Sequence, residues 1–209
     1  MPGDFESDGM RIDISEVTMK VPYPVFIPLG LSQGLRFEPD KGALTGGVVT
    51  SRGERFVLDP ITYSLWLMMQ LGLSERQMQD RFKTELGDVD FAASLRTLTE
   101  KKLVHRLSSY SDLEFFRAVR VIPKASGAGS VDPEHALRYV VKPNFGDKEV
   151  VLNPLDYAVW TLWDGKVSLL HSWREASNIF NLKLPDVIPR QMGVLMVLLG
   201  QGLLNVDHA

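Results

Sequence analysis

The spacing of apolar residues changes once in each half of the chain, from a period of two to a period near 3.6. In the first half, alternating apolar and polar residues are followed by apolar residues at helical spacing between Asp59 and Lys102. This change predicts strands that lead into three helices, with a further strand behind them. The predicted strands of the first half lie at 22–28, 34–38, 46–50, 54–58 and 103–107, and a turn at 51–53 makes the middle pair a hairpin.

Residue types at the expected helix starts predict where the helices begin. Asp59 is a good N-cap, and Pro60 suits the first helical position. Ser74 begins a Ser-x-x-Gln capping box at the second helix. Asp88 or Asp90 is the expected cap of the third helix.

The second half follows the same plan. Asn153 is the expected N-cap of its first helix, and residues 124–133 are small and polar, as in a flexible loop. Its third helix is expected to begin at Asp186 or Pro189 and to end at 200–202. The predicted strands are 113–122, 136–142, 148–152 and 203–206, and the second helix is predicted at 168–180.

The two halves share a sequence motif. Residues 57–66 have the pattern V-L-D-P-x-x-Y-x-x-W, and residues 151–160 have V-L-N-P-x-x-Y-x-x-W. Three leucines near the end of each half also correspond, at Leu95, Leu98 and Leu103 and again at Leu195, Leu198 and Leu203. The chain is therefore predicted to hold two copies of one small domain. The expected division is an N-terminal arm at 1–22, with a short strand at 10–14, a first domain at 23–110 and a second at 111–209.

Composition and charge exclude several classes of protein. The net charge of −3 lacks the basic excess typical of a non-specific DNA binder. The absence of Cys excludes disulfides, thiolate metal sites and a Cys nucleophile. The N-terminus has no apolar signal region, and the longest apolar run, 193–199, is too short to span a bilayer. We therefore expect a cytoplasmic protein with no membrane partner.

No constellation of residues typical of catalysis stands out in the sequence. The four histidines have no partner at ligand spacing, and neither His-x-x-x-His nor Gly-x-Ser-x-Gly occurs. Gly127 and Gly129 lack the further glycine and the strand-to-helix context of a dinucleotide loop. We therefore expect a non-enzymatic protein without cofactor or metal.

The large aromatic residues and the apolar last helix predict which surfaces are buried. The pairs Tyr63/Trp66 and Tyr157/Trp160 have i, i+3 spacing, which favours core packing over a ligand box. The run 192–199 is apolar on every face of the last helix. One face should pack on its own core, and the other on the first copy, a second subunit or a bound peptide. A homodimer is one of these expectations.

The motifs of both halves resemble the PqqD-like family of winged-helix domains. The resemblance covers about 60 residues of each copy. In the first copy Leu71-Gly72 stands where the family pattern has Asp-Gly. In the second copy the resemblance rests on Leu152-Asn153, on Val159-Trp160-Thr161-Leu162-Trp163-Asp164-Gly165, and on Leu195, Leu198 and Leu203-Leu204.

This resemblance implies an α+β fold of two tandem winged-helix-like domains, each a small antiparallel sheet plus three helices. It also implies recognition of a peptide, which would add as a strand beside the hairpin and contact the third helix, with a role in peptide modification. The elements concerned are 54–57 with 91–102, and 148–151 with 188–199. The implied residues for a peptide or protein partner are Arg55, Phe56, Ser94, Thr97, Lys101, Lys148, Val150, Gln191, Val194 and Met196.

Two further functions are consistent with the same elements. One is a winged-helix DNA-binding regulator, in which the third helix of the first copy enters the major groove. The other is a structural subunit of a larger assembly. The apolar third helix of the second copy and the acidic net charge favour a peptide or protein partner over DNA. The candidate nucleic-acid contacts are Arg52, Arg55, Arg96, Lys101 and Lys102.

Overall fold

A computed structural model describes residues 11–16, 21, 23–38, 43–130, 137–143 and 148–209. These residues form an α+β structure of several small sheets and seven helices. The strands are β1 (Arg11–Asp13), β2 (Val25–Pro28), β3 (Leu31–Glu38), β4 (Ala43–Ser51), β5 (Glu54–Leu58), β6 (Val104–Leu107), β7 (Val119–Pro123), β8 (Ala125–Ser130), β9 (Tyr139–Pro143), β10 (Glu149–Leu152) and β11 (Leu204–His208). The helices are α1 (Pro60–Met69), α2 (Glu75–Leu86), α3 (Phe91–Glu100), α4 (Leu113–Ala118), α5 (Pro154–Leu162), α6 (Leu169–Ile179) and α7 (Leu184–Gly200).

Strand pairing is the same in residues 23–107, called the first half here, and in residues 113–209, the second half. In the first half β2 pairs antiparallel with β6, while β3, β4 and β5 form an antiparallel sheet. In the second half β7 pairs antiparallel with β11, while β8, β9 and β10 form the corresponding sheet. The sequence repeat is thus accompanied by a repeat of element order and strand pairing.

The predicted starts of α1, α2, α3 and α5 are confirmed. The side chain of Asp59 accepts from the N–H groups at Ile61 and Thr62, and Pro60 begins α1. Asn153 caps α5 in the same way, ahead of Pro154. The predicted capping box at α2 is present, and Asp90 rather than Asp88 caps α3. The sequence thus predicts these boundaries because caps are local interactions.

Two predictions at the start of the second half were wrong. Residues 113–118 of the predicted strand 113–122 are helical, because Asp112 caps a helical turn and two consecutive aromatics, Phe115 and Phe116, are both buried. A half-buried strand would instead have exposed one of these neighbouring side chains.

The predicted loop 124–133 contains β8, which pairs with β9; residues 131–133 lie outside the described part. A Cβ atom at Gly127 would lie 2.5 Å from the hydroxyl of Tyr157, so the small residue permits close approach of α5. The last helix also begins earlier than expected, at Leu184, because Pro185 fits its first turn.

Three of the four aromatic residues repeated between the halves lie in the core, as predicted: Tyr63, Trp66 and Trp160. Trp66 is 1% exposed, and its indole N–H lies 3.3 Å from the Leu29 carbonyl oxygen and 3.2 Å from that of Leu103. Trp160 is also buried. Tyr157 is only partly buried and stacks on Tyr139.

The two halves pack directly on each other. A Cβ atom at Gly72 in the first half would lie 3.1 Å from Cε of Met196 in α7. Across the same boundary, the Ser51 hydroxyl donates to the buried carboxylate of Asp207 at 2.6 Å. The first half therefore covers the second apolar face of α7, which was one of the three predicted packing partners.

We expect Trp66→Ala to lower the free energy of unfolding by about 3–5 kcal/mol, because it leaves a cavity and removes the indole hydrogen bonds to the carbonyls of Leu29 and Leu103. Urea unfolding followed by circular dichroism measures the change. Leu67→Ala is the matched control, since Leu67 is the next residue of α1 and is 39% exposed. Equal stability of the two variants would contradict the core assignment of Trp66.

Met196→Glu should lower the free energy of unfolding by about 3–5 kcal/mol, the cost of an unpaired buried charge. Met196→Leu keeps the volume and should cost less than about 1.5 kcal/mol. The same urea experiment compares the two variants. A Glu variant as stable as the Leu variant would show that this face of α7 is open to solvent.

Candidate functional site

The sheet of the second half holds an extra strand from the N-terminal end of the chain. β1 runs parallel to β10, with Arg11 opposite Glu149, Ile12 opposite Val150 and Asp13 opposite Val151. Just beyond β1, the N–H of Ile14 donates to the carbonyl of Val151 at 3.0 Å. An extended segment therefore lies on the edge of β10, which we call the occupied edge.

A buried ion pair holds the end of this segment. The carboxylate of Asp156 in α5 is fully buried and accepts from Arg190 in α7, with Nη2 to Oδ2 at 2.5 Å and Nε to Oδ1 at 3.0 Å. Arg190 Nη2 also donates to the carbonyls of Ile14 and Ser15, at 3.2 and 3.1 Å. The guanidinium therefore links a buried carboxylate to the backbone of the added segment.

Neighbouring groups complete the environment of Asp156. The side-chain amide of Gln191 donates to Asp156 Oδ1 at 2.7 Å. Burial raises the pKa of the Asp156 carboxyl, while hydrogen bonds from Arg190 and Gln191 oppose this shift. Asn153 adds a further anchor, since its Nδ2 donates to the Ser15 carbonyl at 3.2 Å. Asn153 thus caps α5 and also holds the added segment.

Charged side chains match at the other end of the occupied edge. Glu149 accepts from Arg11 at 2.7 Å and forms an ion pair with Lys142 at 2.5 Å. Hydrogen bonds from Lys142 and Arg11 hold the pKa of the Glu149 carboxyl below its usual value. Arg11 and Glu149, which lie opposite each other on the two strands, therefore carry opposite charges.

The corresponding edge of the first half is β5, which pairs only with β4 among the described strands. We call it the open edge. The sequence repeat places Arg55, Phe56 and Val57 at the positions of Glu149, Val150 and Val151. Because β4 and β5 are joined by the two-residue turn Arg52-Gly53, the backbone groups of Arg55 and Val57 point away from β4.

Side chains beside the open edge form a shallow groove with the end of α3. Arg52, Glu54, Phe56, Glu100, Lys101 and Lys102 line a cavity of about 420 Å³. The ammonium of Lys101 lies 6.0 Å from the centre of the Phe56 ring. Val57 is 45% exposed, which is high for a strand valine. The groove thus combines apolar surface with basic and acidic side chains, whereas Val57 is exposed on the other face of β5.

The structure separates the predicted partner-binding residues into two groups. Arg55, Phe56 and Lys101 lie on or beside the open edge and are at least partly exposed, Thr97 is partly exposed on α3, and Lys148 is exposed just before β10. The remaining five are buried and cannot contact a partner directly, which corrects that part of the prediction: Ser94, Val150, Gln191, Val194 and Met196. Val150 lies beside β1, Gln191 donates to Asp156 of α5, and Met196 lies against the first half.

Four of the five candidate nucleic-acid residues lie on or beside the open edge. Arg52, Lys101 and Lys102 line the cavity together with two acidic residues, and Arg55 lies beside them in β5. Arg96 is exposed on α3. The acidic residues Glu54 and Glu100 interrupt the basic surface, which weakens its attraction for phosphate.

Sequence reasoning missed the roles of Asp156 and Arg190. An Asp in the first turn of a helix is explained by the helix dipole alone, and the two residues are 34 positions apart. The alternation of polar and apolar residues at Arg11, Ile12 and Asp13 favours the short strand predicted at 10–14, of which the structure describes 11–13, but it does not indicate the pairing with β10.

Within the described residues, no group of three His, Asp or Glu side chains is placed to hold a metal ion. None of the described helices combines the length and hydropathy needed to cross a bilayer. Comparison of the chain with protein-family models, curated proteins and solved structures gave no match.

Glu149→Gln should lower the melting temperature at pH 7 by at most about 4 °C, because it weakens a partly exposed ion pair. The folded-state pKa of Glu149 lies below its unfolded value, so its contribution is present above about pH 4.3 and is lost as the pH falls through the folded pKa. The difference between wild type and variant should therefore shrink toward zero in acid.

Thermal unfolding between pH 3 and pH 7, as rough limits around that range, measures this difference. Glu114→Gln is the matched control, since Glu114 is exposed in α4. A difference that is constant over this range would contradict the assigned ion pair.

Proposed function

We propose that this protein is a non-enzymatic adaptor that binds an extended segment of a peptide or protein at the open edge. In this proposal the two halves are PqqD-like winged-helix domains. The second half uses its edge for the chain's own N-terminal segment, and the first half offers its edge to a partner. Strand addition of this kind obtains affinity from backbone hydrogen bonds and specificity from side-chain contacts.

The occupied edge is the observation that carries the proposal. There, an extended segment already lies in parallel register on β10, with a backbone hydrogen bond and side-chain anchors. The open edge has the same place in the repeated strand pairing. A free strand edge with an exposed valine is a ready template for another strand.

The open edge differs from the occupied edge in one respect that suits a reversible partner. By the offsets of the sequence repeat, Thr62 and Asp90 stand at the positions of Asp156 and Arg190. The first half therefore lacks a guanidinium at the position from which Arg190 holds the carbonyls of the added segment. Binding at the open edge should depend mainly on its backbone groups and on the Phe56 groove.

Val57→Pro should abolish peptide binding at the open edge, because proline lacks the N–H that an added strand needs. The N–H of Val57 points away from β4, so the β4–β5 pairing should remain. Val57→Ala removes the side chain but keeps the N–H, and is the matched control.

A displayed library of random peptides, selected on the wild-type protein, supplies probes for this test. We expect selected peptides to bind Val57→Ala and to lose at least about tenfold in affinity for Val57→Pro, equivalent to about 1.4 kcal/mol. Circular dichroism confirms that both variants are folded. Failure to select any peptide, or equal binding to both variants, would refute the proposal.

A mixed-sequence DNA duplex is the control ligand for the same preparation. The proposal expects no binding up to tens of micromolar by fluorescence anisotropy, a concentration at which non-specific DNA binders respond. DNA binding that weakens steeply with salt would instead support the alternative function, a winged-helix DNA-binding regulator.

A further inference from the structure

The two edges differ in charge at one matched position. On the occupied edge Glu149 lies opposite Arg11 and accepts its hydrogen bonds at 2.7 and 2.9 Å. The sequence repeat places Arg55 at this position of the open edge. The sign of the charge is therefore reversed between the two edges.

This reversal matters because directly opposed residues of neighbouring strands interact strongly with each other. If the segment at 11–15 lay on the open edge in the same register, Arg11 would face Arg55. Like charges placed directly opposite destabilise a strand pair. The chain's own N-terminal segment is thus matched to β10 and mismatched to β5.

The cavity beside Phe56, on the face of β5 opposite to the Arg55 side chain, has a small excess of charge of the same sign. Arg52, Lys101 and Lys102 contribute three further cations around the cavity, against two carboxylates at Glu54 and Glu100. The positions that correspond to Lys101 and Lys102 in the second half are Gln201 and Gly202, which carry no charge. The two lysines at the end of α3 therefore have no charged counterpart at the end of α7.

The next position along the strand calls for an apolar residue. On the occupied edge Ile12 lies opposite Val150 and packs against the core of the second half. Phe56 holds the place of Val150 on the open edge and packs against the core of the first half. A side chain opposite Phe56 would extend this apolar surface.

We infer that the open edge takes an extended peptide strand, parallel to β5, that carries an acidic residue opposite Arg55 and an apolar residue opposite Phe56. The ligand is therefore an acidic-apolar segment of a peptide or protein. This inference rests on the proposed function and adds the direction of the ligand, its register and its charge.

Two short peptides test the charge rule directly. One has the sequence of residues 11–16, Arg-Ile-Asp-Ile-Ser-Glu, and the other begins with Glu in place of Arg. Both are acetylated and amidated, so that terminal charges do not contribute. Each is titrated to millimolar concentration into the isotope-labelled full chain, and the amide signals of β5 report binding at the open edge.

The Glu peptide should bind about fivefold to tenfold more tightly than the Arg peptide, as expected for replacing a like-charge pair by an opposite-charge pair. Arg55→Glu should reverse this preference. Arg96→Glu is the matched control, because Arg96 is exposed on α3 and lies neither on β5 nor among the residues that line the cavity beside it. It makes the same change in net charge and should leave the order of the peptides unchanged.

The outcomes separate this inference from the proposed function. Equal affinities at β5, or a preference that Arg55→Glu does not reverse, would overturn the charge rule while strand addition stands. If Arg96→Glu also reversed the preference between the peptides, net charge rather than the residue opposite Arg55 would determine affinity. This result would overturn the charge rule as well. If neither peptide shifts the β5 signals and the library yields no binder, strand addition itself fails.

Discussion

An edge strand presents backbone N–H and C=O groups that need partners, and the organisation of this protein follows from how each half meets that need. In the second half the backbone groups of β10 pair with β1, which comes from the N-terminal part of the chain. In the first half β5 has no second strand among the described residues. The two edges thus hold the same place in a repeated topology but differ in what covers them, and of β5 and β10 only β10 has a second neighbour among the described strands.

The occupied edge depends on a buried charge. Asp156 could not remain ionised in the core without a partner, since the desolvation of a lone carboxylate is expensive. Arg190 supplies the opposite charge and keeps donors for the carbonyls of Ile14 and Ser15. Removing one member of such a pair costs more than the pair itself contributes, because the other charge is left buried. This makes β1 an integral strand of the second half and distinguishes it from a ligand that exchanges freely.

Packing between the halves limits which surfaces remain. Met196 lies against Gly72, and the buried carboxylate of Asp207 accepts from Ser51. The face of α7 that would otherwise suit a peptide is thereby covered by the first half. The corresponding helix of the first half, α3, keeps exposed residues beside β5, and Lys101 lies over Phe56. The asymmetry between two similar halves therefore arises from their contact with each other as well as from β1.

Local features of the structure were determined by the sequence alone. The caps at Asp59, Ser74 and Asn153 involve residues within three positions of each other, and the buried tryptophans follow from helical spacing. The pairing of β1 with β10 was decided only in the tertiary structure, because it joins residues 138 positions apart. The same holds for the contact of Arg190 with Ile14, which spans 176 positions. Spacing along a chain reports which face of an element is apolar, whereas the identity of the group that covers this face depends on how distant segments meet.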